Sequence, residues 1–111
     1  MSEKSPDEKE REHLTHERVV ALLKEDPNNL APYLAYRNEL EAQLPKNSIG
    51  GLQLIIKMAT ICLEAEFYQE AYEALDAAIL QASNDEGIDP KAKEELLTSL
   101  YVLIDRVPPL S

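Results

Sequence analysis

The fold is decided by residues 52–82, which read LQLIIKMATICLEAEFYQEAYEALDAAILQA. Apolar residues wrap almost the whole circumference of the first half, a pattern typical of a helix buried between other helices. The second half carries Ala71 and Leu75 at helical spacing, and its many alanines allow a neighbouring helix to approach closely. The stretch therefore predicts a central pair of helices, over about residues 52–66 and 68–82.

Three further helices are predicted around this pair, over about Pro6–Glu25, Leu30–Leu44 and Asp89–Val107. Ser5-Pro6-Asp7-Glu8 fits a capping box at the start of the first, and Asp89-Pro90 fits an N-cap and first position at the start of the last. Between the second and third helices, residues 45–51 hold two of the three glycines and predict a loop with Gly50-Gly51 as a flexible turn.

These segments predict an all-α fold of about five antiparallel helices, because no segment alternates as a strand does and the connections are short. Two arrangements fit: stacked helical hairpins or a compact helical bundle. The 111-residue length fits one domain. We expect a charged N-terminal segment over 1–13, a single helical domain over 14–107 and a tail over 108–111.

The charge balance restricts the classes of partner. The chain carries 21 acidic and 11 basic side chains, a formal net charge of −10. Nucleic-acid binding and docking on anionic lipid both need clustered Lys and Arg, so neither is expected. No targeting segment or membrane span is visible in the sequence, and we expect a cytoplasmic protein.

Few residues suggest chemistry. His13 and His16 stand three apart and could share a helical face, but a metal site needs further ligands and none is well placed. Cys62 lies on the most apolar helix, which predicts a buried, unreactive thiol. Gly50-Gly51 lacks the spacing of a phosphate loop, and no Ser or Thr lies in a catalytic motif. We therefore expect no enzyme activity, no metal and no cofactor.

Residues 52–85 resemble a tetratricopeptide repeat, a helix–turn–helix unit of 34 residues with small residues where its helices cross. The matching positions are Ala59, Tyr68, Ala71, Leu75 and Ala78, with Ile55 in place of the usual Trp. The departures are Cys62 for the usual Tyr, Glu66 for the turn Gly and Ser83 where Pro is common. Upstream, residues 22–29 look like a junction between two such repeats. The last three helices also resemble a microtubule-interacting-and-trafficking domain.

The resemblance implies a non-enzymatic module that binds a peptide or helix of another protein, as an adaptor, assembly factor or small chaperone. In such repeats the first helix of each hairpin lines a concave groove. The groove candidates that the resemblance implies here are Tyr33, Tyr36, Arg37, Asn38 and Lys57. Tyr33 and Tyr36 are expected not to face the core together.

A second candidate surface is acidic. Residues 52–89 hold eight acidic side chains and one basic side chain, a net charge of −7. Within them Glu66, Glu70, Glu73 and Asp76 are expected to line the exposed side of one helix and to attract a basic segment. The alternative function is a structural subunit that self-associates, as a possible homodimer, through the first or the last helix.

Overall fold

A computed structural model describes residues 14–109, which form five helices and contain no strand. The helices are α1 (His16–Glu25), α2 (Ala31–Gln43), α3 (Ser48–Glu64), α4 (Tyr68–Asn84) and α5 (Pro90–Asp105). The prediction of an all-α protein with five helices is confirmed.

Helix α3 is the centre of the structure, because it contacts each of the other four helices. One group of buried side chains joins α3 to α4 and α5, and a second joins α3 to α1 and α2. Tyr33 and Phe67 pack against both groups. Four of the buried residues between α3 and α4 are Ala59, Ala71, Leu75 and Ala78, each at most 1% exposed.

The first helix is shorter than predicted. Thr15 has an extended backbone (φ −126°), and its hydroxyl accepts a hydrogen bond from the Arg18 amide (3.2 Å), so a helix begins at His16. A continuous helix from Pro6 to Glu25 is therefore wrong, since Thr15 breaks it. The predicted capping box at Ser5 lies outside the described residues.

The start of α3 also differs from the prediction, because the helix begins inside the stretch predicted to be a loop. The Asn47 side chain accepts a hydrogen bond from the Gly50 amide (2.9 Å), and the helix begins at Ser48 rather than at Leu52. Gly50 is buried, and a Cβ there would overlap the carbonyl oxygen of Pro45 and lie 2.8 Å from its carbonyl carbon. Gly50-Gly51 is therefore helical, and Gly50 allows the preceding link to cross the helix closely.

The turn between α3 and α4 places Glu66 where a glycine is usual. Glu66 has φ 69°, in the left-handed region. The Phe67 amide donates to the Cys62 carbonyl (2.7 Å) and the Glu66 amide to the Leu63 carbonyl (3.2 Å), which together form a Schellman cap. The cap reverses the chain within three residues, so α3 and α4 form a helical hairpin. It also presents the Glu66 side chain beside the start of α4.

Candidate partner-binding groove

A groove runs along α3 between α2 and α4. Both flanking helices pack on α3, yet within residues 14–109 no Cα of α2 lies within 8 Å of a Cα of α4. One part of the groove has a volume of about 540 Å³ and the next part about 360 Å³. Tyr33 and Cys62 line both parts, so the two parts are adjacent along α3.

The floor of the groove is one face of α3. Six residues of α3 at helical spacing line it: Gly51, Leu54, Ile55, Met58, Ala59 and Cys62. All are apolar, and Gly51, Ala59 and Cys62 are small. The floor is therefore apolar, and its small positions leave room for side chains of a bound segment.

The α2 wall carries exposed apolar side chains. Leu30 is 46% exposed and lines the wider part of the groove, and Leu34, one turn further along α2, is 53% exposed. Arg37 lies beyond them and forms an exposed ion pair with Glu41 (3.9 Å). The apolar face of α2 is thus wider than the part that packs in the core, and Leu30 at the start of the helix borders the groove.

Tyr33 and Cys62 meet in the middle of the groove. The Cys62 thiol donates a weak hydrogen bond to the Tyr33 hydroxyl (3.7 Å). Burial, and then the neighbouring Cys62, raise the pKa of the Tyr33 hydroxyl well above its usual range. Burial also raises the pKa of the Cys62 thiol, against the hydrogen bond to Tyr33, which lowers it. Both groups are therefore neutral near pH 7, and the thiolate needed for nucleophilic chemistry is disfavoured.

One end of the groove, the acidic end, is bordered by Glu66 and Glu70. Both side chains are exposed, and neither has a cationic partner among the described residues. The acidic end lies where α3 ends and where α2 and α4 begin, since Leu30 and Tyr68 also line it. The opposite end, the distal end, is lined by Glu41, Lys46 and Gly51.

The structure brings together four of the nine residues predicted from the sequence: Tyr33, Arg37, Glu66 and Glu70. Asn38 is exposed on the solvent side of α2. Lys57 is two residues from both Ile55 and Ala59, which places it on the opposite side of α3 from the floor.

The remaining acidic candidates lie outside the groove lining. Glu73 and Asp76 are exposed on the outer side of α4, where Glu73 accepts a hydrogen bond from Gln69 (2.8 Å). The groove residues that the sequence did not single out are Leu30 on α2 and the floor positions on α3. The signal available for Leu30 was an apolar face of α2 broader than a two-helix contact needs.

The expectation that Tyr33 and Tyr36 face different environments is wrong. Both are half-buried, and both pack against the α1–α2–α3 side chains. Residues three apart on a helix are separated by only about 60°, so they share a face. Tyr36 is consequently a packing residue, while Tyr33 both packs and lines the groove.

Of the two histidines, only His16 lies among the described residues. His13 lies outside them, and His16 Nε2 lies 2.8 Å from Glu64 Oε2, which links α1 to α3. Among residues 14–109 no three His, Cys, Asp or Glu side chains are grouped to hold a metal ion. In the same range no helix has the length and apolar character needed to cross a membrane.

Comparisons with protein-family models, curated proteins and solved structures find no match for this chain.

Proposed function

We propose that the protein is a non-enzymatic interaction module whose groove binds a helical segment of another protein. The observation that supports this most is the open, apolar space over α3, bordered by the half-exposed Leu30. A leucine left half-exposed gains about 1 kcal/mol when a partner covers it. The neutral Tyr33–Cys62 pair supports a binding role for the groove over a reactive one.

The length of the groove suits a helical occupant. Helix α3 has 17 residues and the floor follows it for most of its length, about 20 Å. Apolar side chains of a partner helix at i, i+4 and i+7 would lie along the floor between α2 and α4. This arrangement agrees with the tetratricopeptide-like reading of residues 52–85, which we retain as a proposal for the α3–α4 hairpin. We also propose the cytoplasm as its compartment, where a lone thiol such as Cys62 stays reduced.

The test is a peptide-display selection on the full chain, using random peptides of about 16 residues, the length of helix that matches α3. A groove-filling variant, Gly51→Trp, serves for counter-selection. No atom lies within 4 Å of a Cβ at Gly51 apart from its own helix and chain neighbours, so the ring enters the groove without disturbing the core. The matched control is Lys57→Trp, on the same helix but facing away from the groove.

The proposal predicts peptides with apolar residues at helical spacing that bind the wild type and the Lys57→Trp variant equally. Their affinity for Gly51→Trp should fall about tenfold or more, which corresponds to the loss of about 1.4 kcal/mol of contact. Peptides that bind all three proteins alike would contradict the proposal. A dimer that Gly51→Trp dissociates would instead identify a second copy as the occupant.

Self-association through α5 is the second candidate function. Tyr101 and Val102 are 54% and 58% exposed on this helix, and residues 90–111 carry no net charge although the chain carries −10. A second copy meets little charge repulsion there. Sedimentation velocity at rising concentration tests it: a dimer that Tyr101→Glu dissociates would support it, and a monomer at all concentrations would exclude it.

A further inference from the structure

We propose that the groove accepts its helical partner in one direction only, with a C-terminal turn rich in Lys or Arg at the acidic end. This inference rests on the proposed function and specifies the partner of the same groove. It combines the positions of Glu66 and Glu70 with the directions of the three helices that form the groove.

The directions of the groove helices follow from the residues that line its two parts. Leu30 at the start of α2 and Tyr68 at the start of α4 lie at the acidic end, and Arg37 and Gln81 lie further along. Helices α2 and α4 therefore run parallel to each other and away from the acidic end. A partner helix lying between them is favoured antiparallel to both, because its negative C-terminal pole then lies beside two positive N-terminal poles. The C-terminal pole of α3 lies at the same end and opposes this direction, but it is one pole against two, and the Schellman cap already binds two of its carbonyls.

The carboxylates give the same direction independently. Glu66 and Glu70 border the acidic end, and neither is paired with a cation among the described residues. Both carboxylates can therefore bind a cationic side chain of a partner. Lys and Arg are also the residues that a helix favours in its own last turn. A basic C-terminal turn thus has two favourable interactions, one with the dipole of its own helix and one with the carboxylates of the acidic end.

The rest of the groove does not offer a competing position for the basic turn. At the distal end the Lys46 ammonium donates to the Glu41 carbonyl (2.9 Å), and Arg37 already pairs with the Glu41 carboxylate. Among the described residues, the only carboxylate that lines that end is thus already paired, and Lys46 adds a positive charge, so a partner's basic turn is disfavoured there. The charges of the groove are arranged asymmetrically along α3, and the asymmetry gives the partner a direction.

The selected peptides provide the first test. Those whose binding Gly51→Trp abolishes should carry Lys or Arg in the C-terminal turn more often than in the N-terminal turn. Groove-dependent peptides with basic residues at the N-terminal end, or without preference, would overturn this inference and leave the proposed function standing. A selection without groove-dependent peptides would overturn both.

Charge reversal provides the second test. The Glu66→Lys/Glu70→Lys variant should weaken such a peptide about tenfold, and a peptide with Glu in place of its C-terminal Lys should recover the loss. The matched control is Glu73→Lys/Asp76→Lys, which changes net charge equally on the outer side of α4. Its effect should stay below about twofold at physiological salt, where exposed charges are screened over about 8 Å. Equal losses of affinity in both variants would overturn the proposal, because the peptide would then respond to the overall negative charge and not to Glu66 and Glu70.

Paramagnetic broadening then reports the direction itself. A nitroxide on the C-terminal residue of the peptide should broaden the amide signals of Glu70 and nearby residues, and a nitroxide on the N-terminal residue should broaden those of Glu41 and Lys46. The reverse pattern, or broadening at both ends from each label, would overturn the proposal.

Discussion

Replacing Gly50 with Ala tests the close crossing of the α2–α3 link over α3. A methyl group there would overlap the Pro45 carbonyl oxygen and come within 2.8 Å of its carbonyl carbon and 3.1 Å of its nitrogen. These are backbone atoms, so no side chain can rotate away and the link itself must move. Gly51 is the matched control, because a methyl group added there meets nothing within 4 Å.

The magnitudes follow from two opposing effects. Overpacking lowers the free energy of unfolding by about 1–3 kcal/mol. We expect Gly50→Ala near the upper end of this range, because the atoms that the new methyl group meets belong to the backbone. Alanine in place of a helical glycine contributes about 0.5–1 kcal/mol of stability in both variants. We therefore expect Gly50→Ala to lose about 2 kcal/mol and Gly51→Ala to gain about 0.5–1 kcal/mol.

Thermal and urea unfolding followed by circular dichroism measure both variants. For a domain of this size, about 1 kcal/mol corresponds to about 4–8 °C in Tm. The Tm values of the two variants should therefore differ by at least about 10 °C. A Gly50→Ala protein as stable as Gly51→Ala would refute the close crossing, and with it the position of the link beside the distal end of the groove.

Three further predictions concern the groove. Leu30→Gln should weaken a groove-binding peptide about fivefold while changing the free energy of unfolding by less than about 0.5 kcal/mol, because the side chain is 46% exposed. Val102→Gln, at 58% exposure on α5, should leave the affinity unchanged. Glu66→Gly should raise stability by about 0.5–1 kcal/mol in urea unfolding by relieving the φ of 69°, yet weaken the peptide; a loss of stability would contradict the left-handed backbone. Because burial raises the pKa of Tyr33 in the folded state, the contribution of its neutral phenol to stability is present below about pH 10 and lost as pH rises above it. The free energy of unfolding should therefore fall less steeply above about pH 10 in Tyr33→Phe than in the wild type, and parallel curves would argue against a buried phenol.

The helices were largely predictable because their signals are local. Asp89 caps α5 as expected, its carboxylate accepting from the amides of Lys91 (3.1 Å) and Ala92 (3.2 Å), and apolar periodicity located the other four. The two errors in helix start are both matters of context. Glycines at positions 50 and 51 suggest a loop by propensity, but the Asn47 cap and the nearby Pro45 backbone make a helical glycine the better fit.

The groove was predictable only in part. Periodicity placed Leu30, Tyr33 and Arg37 on one face of α2, but it could not say how much of that face the core would cover. The answer depends on the gap between α2 and α4, which is a tertiary property. For the same reason the four predicted acidic residues divide into Glu66 and Glu70 beside the groove and two others outside it, a division that no local pattern marks.

Titrating the ¹⁵N-labelled protein with a selected peptide, while following its amide chemical shifts, shows whether the space between α2 and α4 is a binding site. We expect the largest shift changes on the groove, at residues such as Tyr33, Gly51, Cys62 and Glu70, and no change in α5 around Tyr101. Changes concentrated on α5, with the groove signals unmoved, would contradict this expectation.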